Sequence, residues 1–324
     1  MTLTLKCQLC PKGCELAPGD SGNCRVRRNI DDKLVSIVYG YVCTAHIDPV
    51  EKKPLFHFLP GTKAFSIATA GCNLHCLNCQ NWEISQSNPE DIQSSYCPPE
   101  KVVEMAEDGK CASIAYTYND PVVFYEFAKD CSVKAHEKKI RNILVTAGYI
   151  NKEPWKKLLE VVDAVTLDIK FINDENYQKV CTATLAPVQE TIMATPKAGV
   201  HLEISNLVIP TMNDSTEDLR KLSKWIKENV GAQIPLHFLG FYPKYKMKNL
   251  PPTPAETLEK ARKIAMDEGM QFVYIGNVMS GEGQNTCCPS CKKLLIERSG
   301  HSVIQNNVKD GKCSCGKEIY GVWK

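Results

Sequence analysis

No stretch of this 324-residue chain comes near the roughly 20 consecutive apolar residues that span a bilayer. The opening MTLTLKCQLCPKGC lacks the apolar core of a secretion signal, so the expected location is the cytoplasm, with no membrane partner. Charge of one sign is missing as a block: 39 basic and 37 acidic residues leave a formal net charge of +2, with basic clusters no longer than HEKK and YPKYKMK. That balance argues against nucleic acid as the main partner. Internal repeats and low-complexity tracts are also lacking. What remains is an ordinary globular chain, 43% hydrophobic and long enough for one large domain or two smaller ones.

Cysteine, by contrast, is abundant, with 17 in all. In a reducing compartment such thiols read as metal ligands or buried small hydrophobes rather than disulfides. They crowd into three sets: Cys7, Cys10, Cys14 and Cys24; Cys72, Cys76 and Cys79; and Cys287, Cys288, Cys291, Cys313 and Cys315. Cys43, Cys97, Cys111, Cys131 and Cys181 stand alone and read as buried thiols.

Between residues 64 and 277, short apolar runs (AFSIAT, SIAYT, NILVTA, AVTLDI, HLEISNLVI, PLHFLGF, QFVYIG) alternate with amphipathic helix patterns. Ser215 with Asp218, and Thr253 with Pro254 and Glu256, are helix starts, and Gly231 and Gly269 are stops. Such alternation predicts right-handed crossovers and a parallel sheet, either doubly wound or a full or partial barrel. Ligands then gather at the strand C-terminal ends. Asn119, Asp120, Thr146, Asp168, Lys170, Glu203 and Ser205 fall there and are the candidate binding residues. His201 and His237 read as structural.

The loop GCNLHCLNC follows the first inner strand and spaces its thiols as C-x3-C-x2-C. Three thiolates can hold three corners of a cubane and leave the fourth iron open, whereas electron-transfer clusters take four. The loop resembles that of the radical S-adenosylmethionine (SAM) enzymes, although Asn78 stands where that superfamily commonly has an aromatic residue. The resemblance implies an α/β fold, a partial (β/α)6 barrel. It also implies a 4Fe-4S cluster on Cys72, Cys76 and Cys79 whose open iron chelates SAM. One electron then cleaves SAM to methionine and a 5′-deoxyadenosyl radical, which takes hydrogen from a protein or small-molecule substrate. AYTYNDP stands where the superfamily binds the methionine ammonium, which puts Asn119 and Asp120 in that role. LDIK resembles the enzymes that activate pyruvate formate-lyase, in which the lysine, here Lys170, reaches SAM and the aspartate, here Asp168, helps bind a cation.

The N-terminal set, C-x2-C-x3-C-x9-C, has four thiols and reads as a closed zinc site or a second cluster. At the other end Cys288, Cys291, Cys313 and Cys315 resemble a zinc ribbon, with Cys287 spare. These sets divide the chain into a metal-binding segment 1–60, a barrel 61–280 and a ribbon-like segment 281–324. CQLCP, DPVEKKPLFHFLPG, GCNLHCLNCQNWEISQ, YTYNDP, LDIKF, FYPKYKM and YIGNV in order resemble the radical SAM component of AmmeMemoRadiSam systems. That resemblance implies AMMECR1-like and MEMO-like partners, an electron donor such as flavodoxin or ferredoxin, and kinship with glycyl-radical activases. The competing reading is a zinc-stabilised binding scaffold without catalysis.

Overall fold

The computed structural model describes residues 3–278 and 282–324. Its centre is one eight-stranded sheet. An edge strand β1 (Thr44–Pro49) runs antiparallel to β2 (Lys63–Ala68). Then come β3 (Ser113–Tyr116), β4 (Arg141–Thr146), β5 (Ala164–Asp168), β6 (His201–Val208), β7 (Leu236–Gly240) and β8 (Val273–Gly276). From β2 to β8 all neighbours pair in parallel, and each of the seven apolar runs supplies one strand. Spatial order follows chain order throughout, which excludes a doubly wound sheet, because that arrangement reverses direction at a switch point. Among the described residues β1 and β8 do not pair, so the barrel stays open on one side.

Among the described residues, six helices of eight residues or more fill the crossovers: α1 (Pro99–Asp108), α2 (Tyr125–Glu137), α3 (Lys152–Leu159), α4 (Leu185–Lys197), α5 (Thr216–Asn229) and α6 (Ala255–Asp267). They cover the outer face, which explains why β3 is buried at every position rather than alternating. Helix α5 starts as its sequence predicts, with Ser215 accepting from the Asp218 N–H at 3.1 Å. Thr253 does not cap α6. Its hydroxyl donates to the Val208 carbonyl at 2.6 Å and accepts the Phe241 N–H at 2.9 Å, tying the ends of β6 and β7 together instead.

The two cysteine-rich ends occupy opposite ends of the barrel. The N-terminal segment lies over the strand C-termini. There the Asn151 N–H donates to the Leu9 carbonyl, and Arg27 pairs with Glu126 at 2.9 Å. The C-terminal segment, a small three-stranded sheet, packs at the strand N-termini, where the Tyr320 hydroxyl bonds the backbone of Leu202. The sequence boundary at residue 60 falls elsewhere in space. β1 joins the main sheet, and residues 53–59 cross the barrel floor, where the Thr166 hydroxyl donates to the Lys53 carbonyl at 2.5 Å.

Candidate functional site

The loop after β2 turns at Gly71, whose φ of +83° is natural only for glycine. A Cβ there would meet Val26 Cγ1 at 2.4 Å and the Cys24 carbonyl at 2.6 Å, so a bare residue is needed for the N-terminal segment to approach. The Asn119 amide holds the Gly71 carbonyl at 2.8 Å. Backbone clamps complete the loop: His75 N–H to the Cys181 carbonyl, Leu77 N–H to Val180, and Lys246 N–H to Leu77. Cys72, Cys76 and Cys79 do not draw together, since no three ligand atoms here lie within 4.8 Å of one another. Burial pushes the Cys72 and Cys79 thiols up. Cys76 rises by contact with the Cys181 thiol and then by burial. Such sulfurs keep their protons when no cation is bound, as the isolated buried thiols Cys97, Cys111 and Cys131 also do.

Across the mouth, Lys170 Nζ donates to Asp168 at 2.7 Å, and the Ser205 hydroxyl donates to the other oxygen of Asp168. Both side chains of the Lys170–Asp168 pair keep some exposure, 20% and 32%, so the pair faces the opening. Burial acts to lower the Lys170 pKa, but Asp168 and Cys76 beside it hold it above the ordinary value. The same ammonium lies within electrostatic range of Cys79 and Asp120.

Asp120 has a different task from the one expected. Its carboxylate accepts Val122 N–H (3.1 Å), Thr146 Oγ1 (2.8 Å) and Ala147 N–H (2.9 Å), joining the ends of β3 and β4. The buried acceptor left without a partner is Asn119 Oδ1, beside the cysteine loop. Asn78 Oδ1, within the loop, is likewise orphaned. These atoms and the Lys170–Asp168–Ser205 chain fit a zwitterionic ligand at the mouth.

Glu203 does not line this site. It is fully buried two residues below Ser205 and accepts Phe56 N–H (3.1 Å), His57 N–H (2.7 Å), His201 Nε2 (3.0 Å) and His237 Nε2 (2.7 Å). Its carboxylate holds the crossing segment 53–59 in the floor. Burial opposes its ionisation, but the two histidines pull its pKa well below the carboxylate range.

Of the terminal sets, Cys288, Cys291, Cys313 and Cys315 bring four ligand atoms within 4.8 Å of one another. Two sulfur pairs stand at 3.7 and 3.6 Å, the spacing of a tetrahedral zinc with Zn–S bonds of about 2.3 Å. Cys287 stays outside the group. Cys7, Cys10, Cys14 and Cys24 line a common cavity but do not close to that spacing, so a zinc arrangement is not formed there. Cys181, read from the sequence as a buried thiol, is fully buried, and what the sequence did not show is that a turn of π-helix at Tyr177–Cys181 brings it to Cys76.

Residues 66–223 match the Radical SAM superfamily. An uncharacterized protein of Methanocaldococcus jannaschii is 46% identical over 97% of this chain and 95% of its own length. The pyruvate formate-lyase-activating enzyme of Clostridium pasteurianum is 26% identical, over 56% of this chain and 77% of that enzyme. The pyruvate formate-lyase 1-activating enzyme of Escherichia coli is 23% identical, over 63% and 89%. Among solved structures, Streptococcus suis SuiB bound to S-adenosylmethionine superposes with a TM-score of 0.53 at 13% identity, covering 70% of this chain and 53% of SuiB. The chain thus spans about half the length of SuiB, and that likeness is one of fold.

Proposed function

Because the chain belongs to the radical SAM superfamily, we propose that it is a SAM-cleaving enzyme of the activating-enzyme type that removes a hydrogen atom from a peptide or protein. The observation that carries this reading is the placement of three cysteines free of disulfides on the loop after β2, at the same strand C-terminal ends as Lys170, Asp168, Ser205 and Asn119. A site-differentiated 4Fe-4S cluster with SAM, when bound, would supply one-electron reductive cleavage of SAM and with it hydrogen-atom abstraction from a substrate C–H.

The chain's own groups do the rest. Cys72, Cys76 and Cys79 are the three thiolates that hold the cluster. Lys170, aligned by Asp168 and Ser205, offers a fixed positive charge for the SAM carboxylate. Asn119 Oδ1 offers an acceptor for the ammonium, while Asp120 and Thr146 lock the strand ends that carry it. The likeness to pyruvate formate-lyase-activating enzymes supports a protein as radical acceptor, and a flavodoxin or ferredoxin is the electron donor we propose. The motif order supports AMMECR1-like and MEMO-like proteins as partners, and the collapsed sulfurs of the C-terminal set support zinc there.

The reading is tested by reconstituting the protein with iron and sulfide under anaerobic conditions, reducing it and adding SAM. Wild type is expected to release 5′-deoxyadenosine and Cys76→Ala to release none, and equal release from both would sink the assignment.

A further inference from the structure

We propose that Cys7, Cys10, Cys14 and Cys24 hold a second 4Fe-4S cluster, closed by four thiolates and seated against the three-cysteine loop. The first support is space. All four cysteines line one cavity of about 20 Å³, together with Lys12, Arg27 and Asn73. A water needs roughly 10–15 Å³ on that measure. Four sulfurs on one zinc stand about 3.8 Å apart, because Zn–S bonds are about 2.3 Å, and they leave no such room. The same molecule supplies the contrast. The C-terminal four close to 3.7 and 3.6 Å in pairs, while the N-terminal four, like the three at the mouth, stay apart.

The walls suit a cubane. Gly22 stands between two of the thiols, and a Cβ there would lie 3.7 Å from both Cys14 Sγ and Cys24 Sγ. The Asn23 N–H donates to Cys14 Sγ at 3.4 Å, the kind of backbone contact that cluster sulfurs accept. Asn73, 1% exposed, lines this cavity with its side chain hydrogen-bonded to the Cys10 thiol. Arg27 and Lys12 bring positive charge to a site whose four thiolates outweigh the cluster's own charge.

The seat is the loop that carries the other cluster. Gly71, one residue before Cys72, meets the Cys24 carbonyl, and Asn73 follows Cys72 directly. Lys12 lies in electrostatic range of Cys10, Cys14, Cys76 and Cys72 alike. With every iron ligated by protein, the second cluster has no open position for a substrate and suits electron storage.

This site goes beyond the SAM-cleaving reading and stands apart from it, because iron bound here is countable without any turnover. The full chain carrying Cys72→Ala, Cys76→Ala and Cys79→Ala together is reconstituted anaerobically with ferrous iron and sulfide. About four iron and four sulfide per chain are expected to remain, against about eight of each in wild type, with the broad visible absorption of a cluster. A folded triple variant without iron and sulfide overturns the proposal. If the triple variant does not fold, wild type decides alone. About eight irons with about one zinc support the proposal, and about four irons with about two zincs overturn it.

Discussion

The two cysteine-rich ends of the chain use the same ligand type in the same number, four thiols each, and come to opposite results. At the C-terminal end the sulfurs collapse on one another beneath the barrel, where Arg298 donates to the Phe56 carbonyl and Val322 pairs with the floor segment. At the N-terminal end they stand back around a cavity on the rim that carries Cys72, Cys76 and Cys79. Residue type therefore does not set the role. Sulfur spacing and position in the barrel differ between the two sets, and on our proposals that difference separates a metal beside the chemistry from one beneath the floor.

The sharpest way to break the contrast is at Gly71. In Gly71→Ala the methyl must displace the Cys24 carbonyl or Val26 while the residue keeps a positive φ. The expected cost is about 4 kcal/mol, with loss of both iron and deoxyadenosine formation and zinc retained at the C-terminal set. Denaturant unfolding with iron and zinc counts on the folded fraction checks it, and loss of zinc alone would reverse the assignment of the two ends.

Glu203 tests the floor alone. Glu203→Gln turns an amide donor toward backbone N–H groups and histidines, so stability should fall by about 3 kcal/mol while SAM affinity holds. The pH dependence has a definite sign. Because the folded pKa is depressed, the carboxylate's contribution is fully present above its unfolded value of about 4.3 and is lost as pH falls from there through the folded value. The variant's stability should thus change less than that of wild type below about pH 4, and parallel acid titrations by circular dichroism measure the difference. A matching slope in both proteins would remove Glu203 from the bracket.

The smallest effect belongs to the mouth. Lys170→Ala removes one charge-assisted contact worth about 1.5 to 3 kcal/mol, so the Kd for SAM should rise about 10-fold to 150-fold with iron content unchanged. Unchanged affinity in an anaerobic titration would leave Lys170 as a partner of Asp168 and nothing more.

Much of this was legible in the chain. The seven apolar runs are the seven parallel strands, and the C-x3-C-x2-C loop sits at the C-terminal end of the first of them. Helix α4 gave a weak signal, because Pro187, Pro196 and β-branched residues dilute its helical propensity. Edge strand β1, TAHIDP, carries a proline and two charged or ionisable positions, so its pattern does not announce a strand. Spacing left zinc and a second cluster both open at the N-terminal set, and the cavity its four thiols line is a feature of the tertiary structure.

What sequence by itself determined is what neighbours along the chain determine: strand and helix period, the thiol triplet and the placement of Asp168 and Lys170 two residues apart. Only the tertiary structure decided the rest. Glu203 is bound to a segment 147 positions away, Lys12 meets Thr182 across 170, and the Cys24 carbonyl meets Gly71 through a docked module. Spacing can state which ligands are near in the chain, but the separation of sulfurs held by different loops is set by how those loops pack, and that separation distinguishes a zinc from a cubane.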